Sequence, residues 1–302
     1  MTRPRPALQR RTLRKRLQRL REAADLTQMQ VAARLELSQS KIARIESGDV
    51  RITRSDLIQL LELYGVTDRA EIADFIEIAR IARQVTPTEN RDILSSAFRQ
   101  YLEFEEIADR LKQFESALMP GLLQTPSYAD AVLRTLNGVD LLEADEREEM
   151  EEKIARKVKI RAMRQDALFS GDEPTRTSFV LDEAVLRRQV GMEIASPMVM
   201  REQLAKVREM IANPAVGLSV IPSSRGAHPG MNGSFTILQF PDDDEDPIVY
   251  LEDSQREDAF IRDDISETGR YLSRFEYLQS RAVSGPELLD LLNAIESSYV
   301  PA

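Results

Sequence analysis

The stretch Thr27 to Gly48 reads TQMQVAARLELSQSKIARIESG, and its reading decides what kind of molecule this chain is. Thr27 is placed to cap a helix by accepting from the backbone N–H of Met29 or Gln30, after which Val31, Ala32 and Leu35 fall on one side at helical spacing. That helix is expected to end near Leu35. Ser38 caps a second one, in which Ile42 and Ile45 face inward while Gln39, Ser40, Lys41 and Arg44 face outward. Gly48 is expected to close it as a left-handed residue. The small Ala32 and Ala33 allow the two helices to approach, and Leu37 in the turn is the expected plug between them. A helix with such an outer face, rich in donors and free of bulky apolar groups, suits a DNA major groove, where arginine prefers guanine and glutamine suits adenine. Lys41 is assigned to phosphate. On these residues alone, a helical hairpin with a merely solvated polar face stays open as the alternative.

Together with a preceding helix, Leu13 to Ala24, and the following Leu57, Leu60, Leu61 and Tyr64-Gly65-Val66, this run resembles the Cro/C1 (XRE-type) helix–turn–helix domain of phage and bacterial repressors. The resemblance spans about residues 8 to 66. It implies that Gln28 braces a phosphate and the recognition helix, that Gln39, Ser40, Lys41 and Arg44 touch bases or backbone, and that Glu46 is structural. With Ser38 and Arg51 at the two ends of the recognition helix, the expected DNA contacts are Gln28, Ser38, Gln39, Ser40, Lys41, Arg44 and Arg51. A motif of this geometry reads two half-sites about one helical turn apart, so a homodimer is expected.

Charge is distributed in the same sense. Residues 1 to 84 hold 17 Lys and Arg against 11 Asp and Glu, a net +6, whereas the remainder carries −16 within the overall −10. Nine basic residues precede Glu22 in RPRPALQRRTLRKRLQRLR with no acid among them, and a basic arm of this kind can follow a phosphate backbone. For Met1 to Pro6 a tail without specific contacts is the competing reading.

At 302 residues the chain is too long for a DNA-binding unit alone and fits two or three domains. With 42% apolar and 30% charged residues, its composition is that of a soluble globular protein. No window approaches the ~18 uninterrupted apolar residues of a membrane span, and the N-terminus lacks the apolar centre of a signal peptide, so a cytoplasmic, nucleoid-associated protein with no membrane partner is expected. Zero Cys excludes disulfides and thiolate chemistry, and the single His228 excludes His-clustered metal sites. No cofactor and no metal are expected.

A fifth helix is expected over Asp68 to Gln84, with Ile72, Phe75, Ile76 and Ala79 as its apolar stripe. Pro87, within the polar VTPTEN (residues 85–90), then breaks the chain, which sets the expected domains at 1–84, a linker at 85–91, and 92–302. The second part opens with a helical pattern from Ile93 to about Leu118, a turn at Pro120-Gly121, and a helix capped by Thr125 with Pro126 in its first position. Ala144 to Leu168 is a third helix, acidic through Glu152 and basic from Lys153 to Arg164, an order that complements the helix dipole. Between residues 176 and 252 the period changes to two, at Phe179 and Leu181, Val216, Leu218 and Val220, Phe235 and Ile237, and Ile248 and Tyr250. Among these runs lies SPMVMREQLAKVREMI, where Ser196 and Pro197 start a helix whose Met200, Leu204, Val207 and Ile211 cover the sheet. Helices resume at Arg262 to Arg281 and Pro286 to Ser297. The fold class is therefore an all-α five-helix helix–turn–helix domain, followed by an α+β domain with a small, mainly antiparallel sheet flanked by helices.

The segments MPGLLQTPSYADAVL, FVLDEAVLRRQVG, REQLAKV, VIPSSRGAHPGMNGSFTILQF and IVYLED resemble the sensor-like domain of uncharacterised function that follows the Cro/C1 domain in many actinobacterial regulators. The resemblance covers about residues 95 to 295. It implies a small-molecule effector or a small protein partner, in an arrangement like a toxin–antitoxin pair, and it brings no ligand or catalytic residue with it. By chemistry alone, the loop Ser223 to Gly230 offers glycines, Arg225 and His228 to an anion, while the competing reading is a tight loop in which His228 bonds only its own turn. Asp182-Glu183 and Glu252-Asp253 at strand ends are acidic pairs that more often cap helices than bind metal. No nucleophile or phosphate-loop signature accompanies them, so no enzymatic activity and no catalytic residue is expected. The expected function is a sequence-specific transcriptional regulator controlled by its C-terminal domain. An antitoxin-like protein that binds DNA only to regulate its own synthesis is the alternative.

Overall fold

Residues 6–47, 50, 52–84, 90–170, 174–191, 198–241, 246–253 and 258–298 are described in the computed structural model. The chain forms two compact units, Met1–Asn90 and Arg91–Ala302. Of the segments singled out above, Met1 to Arg5, Gly48, Arg51, residues 85–89, Ser196 and Pro197 lie outside the described residues.

Among its described residues the first unit has five helices: α1 (Pro6–Ala23), α2 (Gln28–Arg34), α3 (Gln39–Ser47), α4 (Arg54–Leu63) and α5 (Arg69–Ala82). Each carries one apolar stripe, and the stripes meet in a core of Leu13, Leu17, Val31, Ile42, Leu57, Leu60, Leu61 and Phe75. Ala32 is buried, but Ala33 is exposed, so only one of the two alanines lies at the helix contact. Three helices stop in the same way. Asp25 (φ 53°), Glu36 (φ 54°) and Gly65 (φ 81°) are left-handed, and Leu26, Leu37 and Val66 then donate back to the carbonyls of Arg21, Ala32 and Leu61. Each of these apolar residues turns into the core, which is the physical reason why Leu37 fills the turn between α2 and α3.

The second unit contains α6 (Ser96–Glu105), α7 (Pro126–Leu136), α8 (Ala144–Phe169), α9 (Glu183–Arg187), α10 (Met198–Ile211), α11 (Ile265–Arg281) and α12 (Gly285–Ser298) around a six-stranded sheet. The strands are β1 (Arg110–Glu115), β2 (Arg176–Asp182), β3 (Val216–Ile221), β4 (Phe235–Gln239), β5 (Ile248–Asp253) and β6 (Asp258–Arg262), in the order β3-β2-β1-β4-β5-β6. β1 pairs in parallel with β2, and β2 with β3, whereas β1–β4, β4–β5 and β5–β6 are antiparallel.

The sheet is thus mixed and larger than the small, mainly antiparallel one expected. The difference lies in the parallel pairing of β2 with β3, in β6, and above all in β1, which sits inside the stretch expected to be one helix from Ile93 to Leu118. Leu111 and Phe114, three residues apart, imitate a helical stripe, but in a strand they point to opposite faces, and both are fully buried. Phe114 joins Val180, Phe235, Ile237 and Val249 against Phe275 and Leu278 of α11. Leu111 shares the other face with Phe179, Leu181 and Leu238, also buried. A strand covered on both sides loses the alternation by which strands are read.

Candidate nucleic-acid interface

Short-range rules build the α2–α3 motif. Thr27 accepts from the backbone N–H of Gln30, and the Gln30 side chain accepts in return from the N–H of Thr27, a reciprocal capping box. Ser38 Oγ accepts from the N–H of Lys41 at 3.1 Å and so caps α3. Ile42 and Ile45 face the core, while Gln39, Ser40 and Arg44 are exposed and Lys41 is half-exposed.

The orientation of α3 is set by a polar node that no local rule announces. Glu46 is buried and accepts from Arg21 Nε at 2.7 Å, from Arg21 Nη2 at 3.1 Å and from Gln28 Nε2 at 2.8 Å. Arg21 Nη1 also donates to the carbonyl of Leu26. One carboxylate therefore ties α1, α2 and α3 together, with a two-pronged guanidinium bond that fixes angle as well as distance. The Glu46 bond holds the Arg21 guanidinium above its ordinary pKa, against the opposing effect of burial. Burial raises the nearby Tyr64 hydroxyl, and the Glu46 charge adds to that. Gln28 braces α3 through this bond.

Lys41 is engaged. Its Nζ lies 3.0 Å from Asp56 Oδ1, in the first turn of α4. Burial works to raise the Asp56 carboxyl, but its bonds from Lys41 and at Thr53 outweigh it and hold it below the usual range. Asp56 was not among the expected site residues, because it lies fifteen positions beyond Lys41 on another helix and no spacing rule connects them. Arg44 makes no ion pair among the described residues, and Arg54, at the start of α4, is exposed.

The basic run ahead of Glu22 is not a free arm from Pro6 onward, because it forms α1. Arg10 donates to the carbonyl of Ala82, Arg14 to that of Ser47, and Arg16 pairs with Asp74 and lies over the Phe75 ring at 4.1 Å. Leu13 and Leu17 draw this helix into the core, and Arg10, Arg14 and Arg16 are engaged with the domain itself.

In the second unit the loop candidates separate. Arg225 is exposed, and its carbonyl accepts from Arg281. His228 is buried edge-on against Phe114, with Nε2 2.9 Å from Asp182 Oδ2, so its ring bonds to the end of β2 and not within its own turn. Arg225 and His228 therefore do not converge on one exposed site. Asp182 also caps α9 through the N–H of Ala184, and Glu183 accepts from the N–H of Ser223 and from Arg187. Burial works to raise Glu183, yet these bonds hold it below the ordinary carboxylate range. These acids are structural, and among the described residues no group of three or more His, Cys, Asp or Glu is placed to hold a metal. A further buried network joins Tyr101, Glu105 and Arg164, the guanidinium lying over Phe98 and Tyr101. Burial pushes the Tyr101 hydroxyl well up. No helix among the described residues is long and apolar enough to cross a membrane.

Two family matches cover most of the chain. Residues 12–75 match a helix-turn-helix domain, and residues 98–294 match a domain of unknown function (DUF5753). No curated protein and no solved structure matches the chain. The helix–turn–helix domain, with its outward polar helix, suggests a DNA-binding regulator. The second match spans well over half of the chain, which therefore belongs to the DUF5753 family.

Proposed function

We propose that this protein is a sequence-specific DNA-binding transcriptional regulator of the Cro/C1 (XRE) type that acts in the cytoplasm as a homodimer under control of its DUF5753 domain. The observation that carries this reading is the Glu46 node, which holds α3 against α1 and α2 with Gln39, Ser40 and Arg44 turned outward. Preorganised donors on a rigid helix can meet base edges without a further ordering cost. Gln39, Ser40 and Arg44 read bases, Gln28, Ser38 and Lys41 serve the phosphate backbone, and the sequence adds Arg51 as a further contact. The C-terminal domain contributes dimer contacts and receives an effector or a small protein partner, and the reading assigns it no catalytic step.

The test begins by locating operators with a genome-wide DNA pull-down and then compares the wild type with Arg44→Ala on them. The variant should lose about 1–3 kcal/mol of binding and relax its preference at one base pair. Unchanged affinity and unchanged preference would remove α3 as the reading element. Sedimentation at micromolar concentration should show a dimer, and a monomer there would refute the two-half-site geometry.

A further inference from the structure

The ion pair between Lys41 and Asp56 joins the first turn of α3 to the first turn of α4. Lys41 is the third residue of α3, at the same helix end as the exposed Gln39 and Ser40. A flexible ammonium in that place is a ready partner for any DNA phosphate, whatever the sequence. Here it is held 3.0 Å from a carboxylate whose side chain is only 14% exposed, while that of Lys41 is 39% exposed. The carboxylate is itself anchored, because Asp56 belongs to the first turn of α4 and its N–H donates to the Thr53 cap. The ammonium is the more exposed of the two groups and the aspartate the more enclosed, so a phosphate that recruits Lys41 competes with Asp56 for it or shares it.

We propose that Asp56 is a specificity-determining residue of the helix–turn–helix domain, withholding Lys41 from non-specific phosphate contact until a matched site aligns α3. This rests on the DNA-binding reading above and adds to it a reason why the wild type discriminates. On a mismatched duplex, exchanging Asp56 for a phosphate replaces one anion by another, with little net gain. On the operator, base contacts by Gln39, Ser40 and Arg44 bring the phosphate close enough for Lys41 to change partner or bridge both. Asp56 acts through Lys41 and touches no base, which makes it a positioning residue.

The experiment measures binding of the full chain to its operator and to a scrambled duplex of equal length by fluorescence anisotropy over a salt series. Asp56→Asn should keep the fold, bind the scrambled duplex about five-fold more tightly at low salt, and steepen its salt dependence by about 0.9 in log–log slope, the signature of one added phosphate contact. The operator should gain less, so the ratio of the two affinities falls. Lys41→Gln combined with Asp56→Asn should bind the scrambled duplex no better than Lys41→Gln alone, since the gain is carried by the lysine. A gain that persists without Lys41 would mean that Asp56 acts only as a general negative charge, and would overturn the proposal. So would a wild-type slope and affinity in Asp56→Asn, or a change confined to thermal stability. A wild type that binds no duplex at any salt would overturn the DNA reading, and this inference with it.

Discussion

At the scale of single residues, the decisive side chain is the buried Glu46, which holds Arg21. Glu46 is 7% and Arg21 12% exposed at the side chain, so removing one leaves the other charged and poorly solvated. Glu46→Ala should therefore destabilise the helix–turn–helix domain by about 3–5 kcal/mol, and replacing Arg21 and Glu46 together by apolar residues of similar volume should restore much of the loss. Urea denaturation of the wild type and these two variants measures both effects, and a double replacement no better than the single one would contradict the account. Gly230 is the corresponding point in the second unit. A Cβ there would stand 2.3 Å from Phe114 Cζ and 3.0 Å from His228 Nδ1, both of them packed ring atoms. Gly230→Ala is expected to cost about 1–3 kcal/mol by overpacking, read as a lower urea midpoint with an unchanged slope.

At the scale of elements, the turn between α2 and α3 stands out. Glu36 occupies a left-handed position that helix ends usually give to glycine, and it is exposed. The left-handed backbone costs a side chain about 1–2 kcal/mol, while glycine adds about 0.4–1 kcal/mol of unfolded-state entropy, so Glu36→Gly should stabilise by roughly 0.5–1 kcal/mol. A higher melting temperature with intact DNA binding is the expected result, and a lower one would show that Glu36 makes a compensating contact. The elements also show how much was legible beforehand. Thr27, Ser38, Ile42 and Ile45 act within four residues along the chain, and the two motif helices follow from their spacing. β1 was not legible, because Leu111 and Phe114 are apolar on both faces of a covered strand and thus carry a helix-like period.

At the scale of the whole molecule, the lowered carboxyls set a pH dependence. Asp56 in the first unit and Glu183 in the second both titrate below their ordinary values in the folded state. A carboxyl whose folded pKa is depressed contributes stability that is fully present above its unfolded value, near 4, and is lost as pH falls through the folded one. The chain should therefore hold its stability down to about pH 5 and lose it progressively below that. Thermal melts of the wild type and of Asp56→Asn with Glu183→Gln, taken over descending pH, test the sign, since the double variant should fall less steeply. An equal fall in both would assign acid sensitivity to other groups.

The sequence by itself determined the helical pair, its caps and its outward polar face, because those depend on contacts between residues a few positions apart. It also placed the helices α7 and α8 by cap and dipole order. Only the tertiary structure decided the mixed sheet, the pairing of His228 with Asp182 and the engagement of α1 by its own domain. It likewise decided that Glu46 is the node of the DNA-binding unit and that Lys41 is held by Asp56. Each of these joins residues far apart along the chain, where the only rule is that a buried charge or polar group must find its partner in space.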